Sequence, residues 1–278
     1  MSRITVAAVQ MRSTMDPARN LRDFEALVRE AAGKGARYIQ SPEMTGALVR
    51  DRKLLMQLIK PAESDPLVAR AAALAAELGI HLHIGSTAIA RPDGKVANRA
   101  VVFGPDGGLI ATYDKIHMFD VDVSETETYR ESAHYRPGAQ AVVAQTDFAP
   151  IGMTICYDVR FAYLHRKLAH AGAEILTVPA AFSAVTGAAH WHTLLRARAI
   201  ETGCFVLAPA QTGVHYVKDG RERRTYGHSL AVAPWGEVLA DAGETCGVTF
   251  VDLDMSEVAK ARKRVPALSH DRSFDGPL

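Results

Sequence analysis

The chain has 278 residues, 48% of them apolar and 23% charged, with a formal net charge of +1 at pH 7. That usage gives a globular protein with a sizeable core and excludes a disordered, highly charged chain. So small a net charge supplies no field for nucleic acid or an anionic membrane surface, and neither is expected as a partner; the basic run Arg221-Glu222-Arg223-Arg224 reads as a solvated loop.

From the N-terminus, residues 4–10 form a short β-branched apolar run and read as a strand. It lacks the long apolar stretch of a signal peptide or membrane span, so a cytoplasmic protein is expected. After Asp16-Pro17, Leu21, Phe24, Leu27, Val28 and Ala31 recur at helical spacing before Gly33. Residues 38–40 read as a strand, and Ser64-Asp65-Pro66 opens an alanine-rich helix that closes at Gly79. A strand follows at 81–90, and turns at 91–94 and 104–108 bound two more at 98–103 and 109–112. From 114 to 138 the periodicity disappears, leaving a polar and aromatic loop of a length that usually carries function. Beyond it come strands at 141–144 and 151–155, a helix at 161–171, a strand at 175–178, a helix at 189–202 and a strand at 205–208. Hairpin-like strands at 230–233, 237–240 and 248–253 follow, with Pro234-Trp235-Gly236 turning between the first two. No flexible linker and no repeat interrupts this alternation, so residues 1–278 are expected to form one domain of α/β layers.

Cys156, Cys204 and Cys246 are odd in number and widely spaced, and are expected to be free thiols. Cys156 ends the run Ile151-Gly152-Met153-Thr154-Ile155 and precedes Tyr157-Asp158-Val159-Arg160, a strand-to-helix elbow. There a helix N-terminus favours a thiolate, and the following backbone N–H groups can receive an oxyanion; a packing cysteine fits the position equally well. A thiol nucleophile needs a base. None of the eleven histidines stands out, and His228 in Tyr226-Gly227-His228-Ser229 reads as structural. Glu43, after the strand at 38–40, and Lys115, at the start of the long loop, can serve as base and cation, although each would be unremarkable alone. His81-x-His83 and His190-x-His192 each offer two metal ligands, but no third accompanies either pair at a suitable spacing, so no metal is expected.

Taken together, Ser41-Pro42-Glu43, Tyr113-Asp114-Lys115-Ile116-His117-Met118-Phe119-Asp120 and Ile155-Cys156-Tyr157-Asp158-Val159-Arg160-Phe161 resemble, in order, the three catalytic signatures of the nitrilase superfamily of carbon–nitrogen hydrolases. Gly172-Ala173-Glu174-Ile175-Leu176, Pro179-Ala180-Ala181-Phe182, His190-Trp191, residues 196–201 and Gly227-His228-Ser229 extend the resemblance along nearly the whole chain. It implies an α/β fold, a four-layer α-β-β-α sandwich, with Glu43 as base, Lys115 as oxyanion stabiliser and Cys156 as nucleophile. It also implies a thioester intermediate, release of ammonia, no cofactor and a homodimer or higher homo-oligomer. A second family glutamate matches Glu131, ahead of the competing Glu125 and Glu127.

Phe119-Asp120-Val121-Asp122, Glu131-Ser132 and residues 186–191 resemble the Nit subgroup, amidases of small carboxylated amides. By that likeness Arg160 and Thr186 would hold a substrate carboxylate, with Tyr157 and Phe182 as further substrate-binding residues; an Arg160–Asp158 ion pair is the competing reading. Residues 194–202 resemble the deaminated-glutathione amidases more than the ω-amidases, with nitrilases and carbamoylases as remoter alternatives. His192 and Ala162 depart from the pattern, standing where relatives commonly carry glutamate and proline.

Overall fold

The computed structural model describes residues 3–123, 128–216 and 222–276. Strand β1 (Arg3–Gln10) leads to helix α1 (Pro17–Gly33), which starts where Asp16 accepts the free N–H groups of Ala18 and Arg19. Strand β2 (Tyr38–Gln40) and the short α2 (Arg52–Leu58) precede α3 (Pro66–Leu78), capped in the same way by Asp65 and closed by Gly79 in the left-handed region. Strands β3 (His81–Ala90), β4 (Val96–Phe103) and β5 (Leu109–Asp114) run on into the long loop, which holds a small hairpin of β6 (Asp120–Asp122) and β7 (Thr128–Arg130). Next come β8 (Val142–Gln145), β9 (Pro150–Met153), α4 (Ala162–His170), β10 (Ile175–Thr177), α5 (Ala184–Thr202) and β11 (Phe205–Ala208). The chain finishes with β12 (Thr212–Tyr216), β13 (Glu222–Tyr226), β14 (Leu230–Val232), β15 (Val238–Asp241), β16 (Gly247–Asp254) and α6 (Ser256–Arg264).

Alternation of side chains assembles these into layers. In β1, Ile4 and Val6 join one apolar cluster while Ala7 and Val9 join another; Ala100 and Val102 against Val101 and Phe103 do the same in β4. A sheet apolar on both faces must be covered on both. The first sheet has the order β16-β1-β2-β3-β4-β5, the second β15-β14-β11-β10-β9-β8, each parallel at its centre. Phe24, Val28 and Leu74 of α1 and α3 cover the first sheet, and Leu164, Leu168, Trp191 and Leu195 of α4 and α5 join the cluster shared by the two sheets. The result is the expected α-β-β-α sandwich. The parallel strands β2 and β9 end at one side of it, and the segments that follow them carry Glu43 and Cys156.

Several elements differ from the sequence expectation. Helix α5 begins at Ala184 rather than 189, because Gly187 lets its first turn press on Tyr226, where a Cβ would lie 2.4 Å from that side chain. Residues 222–226 are not a solvated loop but strand β13, with Thr225 buried and Arg223 donating to the Ala181 carbonyl at 2.7 Å; Arg221 lies outside the described residues. The segments α2, α6 and β12 span only seven, nine and five residues, too short for a periodic pattern to stand out, which is why the sequence does not reveal them.

Burial holds three histidines neutral, pushing His83 down to about 3 and His165 and His215 to about 4. The unfolded chain protonates them near the ordinary value of 6.5, so on acidification it binds protons that the fold refuses. Stability is therefore full above pH 6.5 and declines below it, by up to about 1.4 kcal/mol per pH unit for each histidine. Urea unfolding midpoints measured between pH 7 and 5.5, where carboxylates hardly titrate, are expected to fall steadily; a flat series would refute the burial argument.

Candidate active site

Each of the three signature residues leaves a strand end under backbone constraint. Glu43 follows β2 through Ser41-Pro42, a segment pressed onto β3 at Gly85, where an added Cβ would lie 2.0 Å from the Ser41 carbonyl oxygen. Gln211 then clamps the corner: its Nε2 donates to the Glu43 carbonyl at 2.9 Å and to the Ser13 hydroxyl at 2.7 Å. Lys115 follows β5, its N–H bonded to the Asn98 carbonyl at 2.9 Å. Cys156 follows β9 and is held by a 2.9 Å bond from its N–H to the Pro179 carbonyl. Among the described residues only Met44, Cys156 and His228 are non-glycine residues with positive φ, and the first two belong to this site. Such conformations persist where surrounding contacts over-determine them.

The side chains converge in the interior. Lys115 Nζ lies 3.1 Å from Glu43 Oε1 and 2.9 Å from Glu131 Oε2, and Asn98 Nδ2 donates to Glu43 at 2.9 Å and to Glu131 at 3.3 Å. The Ala181 N–H donates to Glu43 Oε2 at 2.8 Å and the Phe119 N–H to Glu131 Oε2 at 2.7 Å. Burial pushes the Glu43 carboxyl up, but the Lys115 ammonium, the Cys156 thiol and the Ala181 and Asn98 donors outweigh it and hold it below the usual range. Burial disfavours the Lys115 ammonium, yet Glu131 and Glu43 raise its pKa well above the ordinary value. Burial and then the Glu43 charge push the Cys156 thiol well up. The resting arrangement is therefore carboxylate, ammonium and thiol. The expected helix-assisted thiolate is not what forms: a five-residue 3-10 turn, Cys156–Arg160, intervenes and α4 starts only at Ala162.

Glu43, Lys115, Glu131 and Cys156 line a cavity of about 420 Å³, together with Tyr157, Phe182, Thr186, Phe119, Tyr129, Tyr135 and the cations Arg50, Arg130 and Arg223. Seven of the eight residues singled out in the sequence meet there. Arg160 does not line the cavity; its guanidinium lies 5.8 and 5.5 Å from the ring centroids of Tyr157 and Phe182 and donates to His190 Nδ1 at 3.2 Å. Nor does it pair with Asp158, whose buried carboxylate accepts from Tyr113, the Ile155 N–H and His117, so tying the Lys115 loop to the Cys156 turn. Glu125 and Glu127 lie outside the described residues.

Sequence reasoning missed Asn98, Asp158, Arg223 and Gln211. Asn98 carried a usable signal, a single amide within the apolar strand Val96-Ala97-Asn98, since a buried amide needs partners. His228 bonds Asp241 at 2.9 Å, as a structural histidine would, and the His81-x-His83 pair is divided between Asp147 and the Tyr38 hydroxyl.

Gly85→Ala is expected to lower the unfolding free energy by about 1–3 kcal/mol, because both the Ser41 carbonyl and Pro179 must move. Gly33→Ala, where a Cβ meets nothing within 4 Å, serves as the neutral control. Equal unfolding midpoints for the two variants would show that the β3 contact does not set the position of residue 43.

Residues 5–263 match the carbon–nitrogen hydrolase family. A deaminated glutathione amidase of Synechocystis sp. is 38% identical over 266 residues, 95% of this chain and 96% of that protein, and Omega-amidase NIT2 of Danio rerio is 34% identical over 282 residues, 98% and 96% of the two chains. The crystal structure of the C. elegans NitFhit protein superposes with a TM-score of 0.90 at 33% identity, covering 98% of this chain and 66% of that longer one. With the family match spanning most of its length, the chain belongs to the carbon–nitrogen hydrolase family and is an amidase, like the Synechocystis and Danio rerio proteins.

Proposed function

We propose that the chain hydrolyses a small carboxylated amide through a thioester on Cys156, with a deaminated-glutathione type of substrate first and an ω-amidase substrate such as α-ketoglutaramate second. The observation that carries this reading is the hydrogen-bonded Glu43–Lys115–Glu131 cluster on a buried thiol, opening into a cavity with a cationic rim. Glu43 takes the thiol proton as the sulfur attacks the amide carbon. Lys115 and the backbone N–H after Cys156 meet the oxyanion, and Glu131 holds the lysine. Glu43 then protonates the departing nitrogen and later draws a proton from the water that cleaves the thioester. A primary amide releases ammonia; a substituted amide of the deaminated-glutathione kind releases an amine. No step calls for a metal or cofactor.

Arg160 and Thr186 hold the carboxylate on the acyl side in this reading. Arg160 reaches it past Tyr157 and Phe182, whose rings its guanidinium already faces. Arg223, with Tyr129 under its guanidinium at 5.2 Å, is suited to an acidic leaving group. A cytoplasmic homodimer is the proposed state: no described helix is long and apolar enough to cross a membrane, and the exposed Val185, Ile200 and Trp235 supply apolar surface for a second copy.

Turnover of deaminated glutathione, α-ketoglutaramate and a simple nitrile, measured side by side, is expected to give kcat/KM in that descending order. A nitrile turned over best would overturn the amide assignment. Cys156→Ala is expected to lose about four orders of magnitude in kcat or more, and wild-type protein should carry a transient acyl mass on the Cys156 peptide. Arg160→Ala should raise KM by about tenfold or more for carboxylated amides, with a small effect on kcat; an unchanged KM would remove Arg160 from substrate binding.

A further inference from the structure

His228, the third non-glycine residue with positive φ (+54°), stands apart from the catalytic cavity. Its backbone is fixed on both sides: the N–H donates to the Gly243 carbonyl at 2.7 Å, and its carbonyl accepts from Trp191 Nε1 at 2.9 Å. Its ring stacks on Tyr226 with centroids 4.4 Å apart. That setting aims Nδ1 at Asp241 Oδ1, 2.9 Å away, while His192, projecting from α5, brings Nε2 to 2.9 Å from Asp241 Oδ2. One candidate ligand atom from each residue lies within 4.8 Å of the others. The three come from different elements, so the fold, not local sequence, assembles them.

The surroundings suit a cation. The ion pairs recorded for Asp241 among the described residues are with these two histidines. The nearest arginines along the chain are engaged elsewhere, Arg196 on the Gly236 carbonyl and Arg224 on Glu244. The Gly243 N–H donates to Asp241 Oδ1 at 2.9 Å, orienting the carboxylate as outer contacts of metal ligands do. With His192 the cluster becomes a two-imidazole, one-carboxylate set.

We propose that His192, His228 and Asp241 form a surface site for zinc or a similar late first-row dication, separate from the amidase chemistry. Two imidazoles with one carboxylate suit zinc, whereas calcium and magnesium take oxygen ligands. Zinc needs ligand atoms at about 2.0–2.2 Å, with a fourth tetrahedral position left for water. Ligand atoms around a tetrahedral ion stand roughly 3.3–3.6 Å apart, so binding opens the 2.9 Å nitrogen–oxygen contacts slightly to admit the ion, and each imidazole carries its proton on the ring nitrogen away from the metal. The bound ion would pin α5 to the corner formed by residues 226–243. That corner backs the cavity wall, since Trp191 packs on Phe182 at 4.9 Å and the Tyr226 N–H donates to the Phe182 carbonyl at 3.0 Å.

The test uses tag-free, chelator-treated protein carrying Cys156→Ala and Cys246→Ser, which removes the competing cavity and exposed thiols. Zinc titration by calorimetry is expected to give one equivalent bound and a raised thermal unfolding midpoint, and cobalt a visible absorption band of a four- or five-coordinate site. His192→Gln and Asp241→Asn should each weaken binding by about tenfold or more while unfolding like the parent in chelator. If either variant is misfolded, His228→Asn, which tolerates the left-handed backbone, takes its place. No stoichiometric zinc binding, or binding unaltered by these substitutions, overturns the proposal and leaves the cluster as an Asp–His pairing network.

Discussion

The structure depends on one constraint: a carboxylate, Glu43, and an ammonium, Lys115, are buried together beside a thiol, with a second, half-buried carboxylate, Glu131, closing on the lysine. Removing such charges from solvent costs several kcal/mol per ion, which only close pairing and full hydrogen bonding offset. The single lysine cannot balance both glutamates. The remaining stabilisation comes from neutral donors, the N–H groups of Ala181 and Phe119 and the Asn98 amide. Burial, and after it the negative charge left next to the sulfur, raises the Cys156 thiol and favours its protonated form at rest. A thiol at rest with a carboxylate beside it is poised differently from a thiolate–imidazolium pair, and that follows from burial together with the charge count.

Holding that cluster dictates much of the scaffold. The glutamate, the lysine and the cysteine leave different strands, and small relative shifts would break contacts of about 3 Å. Gly85 allows the closest approach between β3 and the segment bearing Glu43, Gln211 fastens the same corner from β12's side, and Asp158 joins the loop of Lys115 to the turn of Cys156. Positive φ at Met44 and Cys156 is tolerated because these bonds surround it. Preorganisation here is bought by long-range backbone contacts rather than by rigid local sequence.

That division explains what the sequence makes legible. Apolar periodicity announces the strands at 4–10 and 81–90 and the helices ending at Gly33 and Gly79, since burial of one stripe or face is a local pattern. Glu43, Lys115, Cys156 and Glu131 could be named because each sits in a recognisable signature, although nothing local tells their charge states. Asn98, Asp158 and Gln211 act across 41 to 168 residues of chain. A single sequence does not record such pairings. The loop reading of residues 222–224 failed for a related reason: Glu222 and Arg224 are exposed as their charge suggests, but the segment is a strand and half-buried Arg223 bonds the distant Ala181 carbonyl.

The net charge of +1 hides a site dense in charges of both signs. Glu43, Glu131 and Lys115 line the cavity together with Cys156, and Arg50, Arg130 and Arg223 also line it. Asp122 partly neutralises Arg130 through a 2.8 Å contact, but the guanidinium of Arg223 rests on an aromatic face and a backbone carbonyl. For the proposed carboxylated amide this arrangement acts as an orienting field. A carboxylate entering toward the glutamates meets like charge, whereas one left toward the arginines meets charge-assisted donors, and in the latter orientation the neutral amide faces Cys156. Discrimination between amides is then a matter of the leaving group. Ammonia departs in the ω-amidase reading and an amine with its own carboxylate in the deaminated-glutathione one, so the charges that meet the departing side, not the chemistry at sulfur, separate the two.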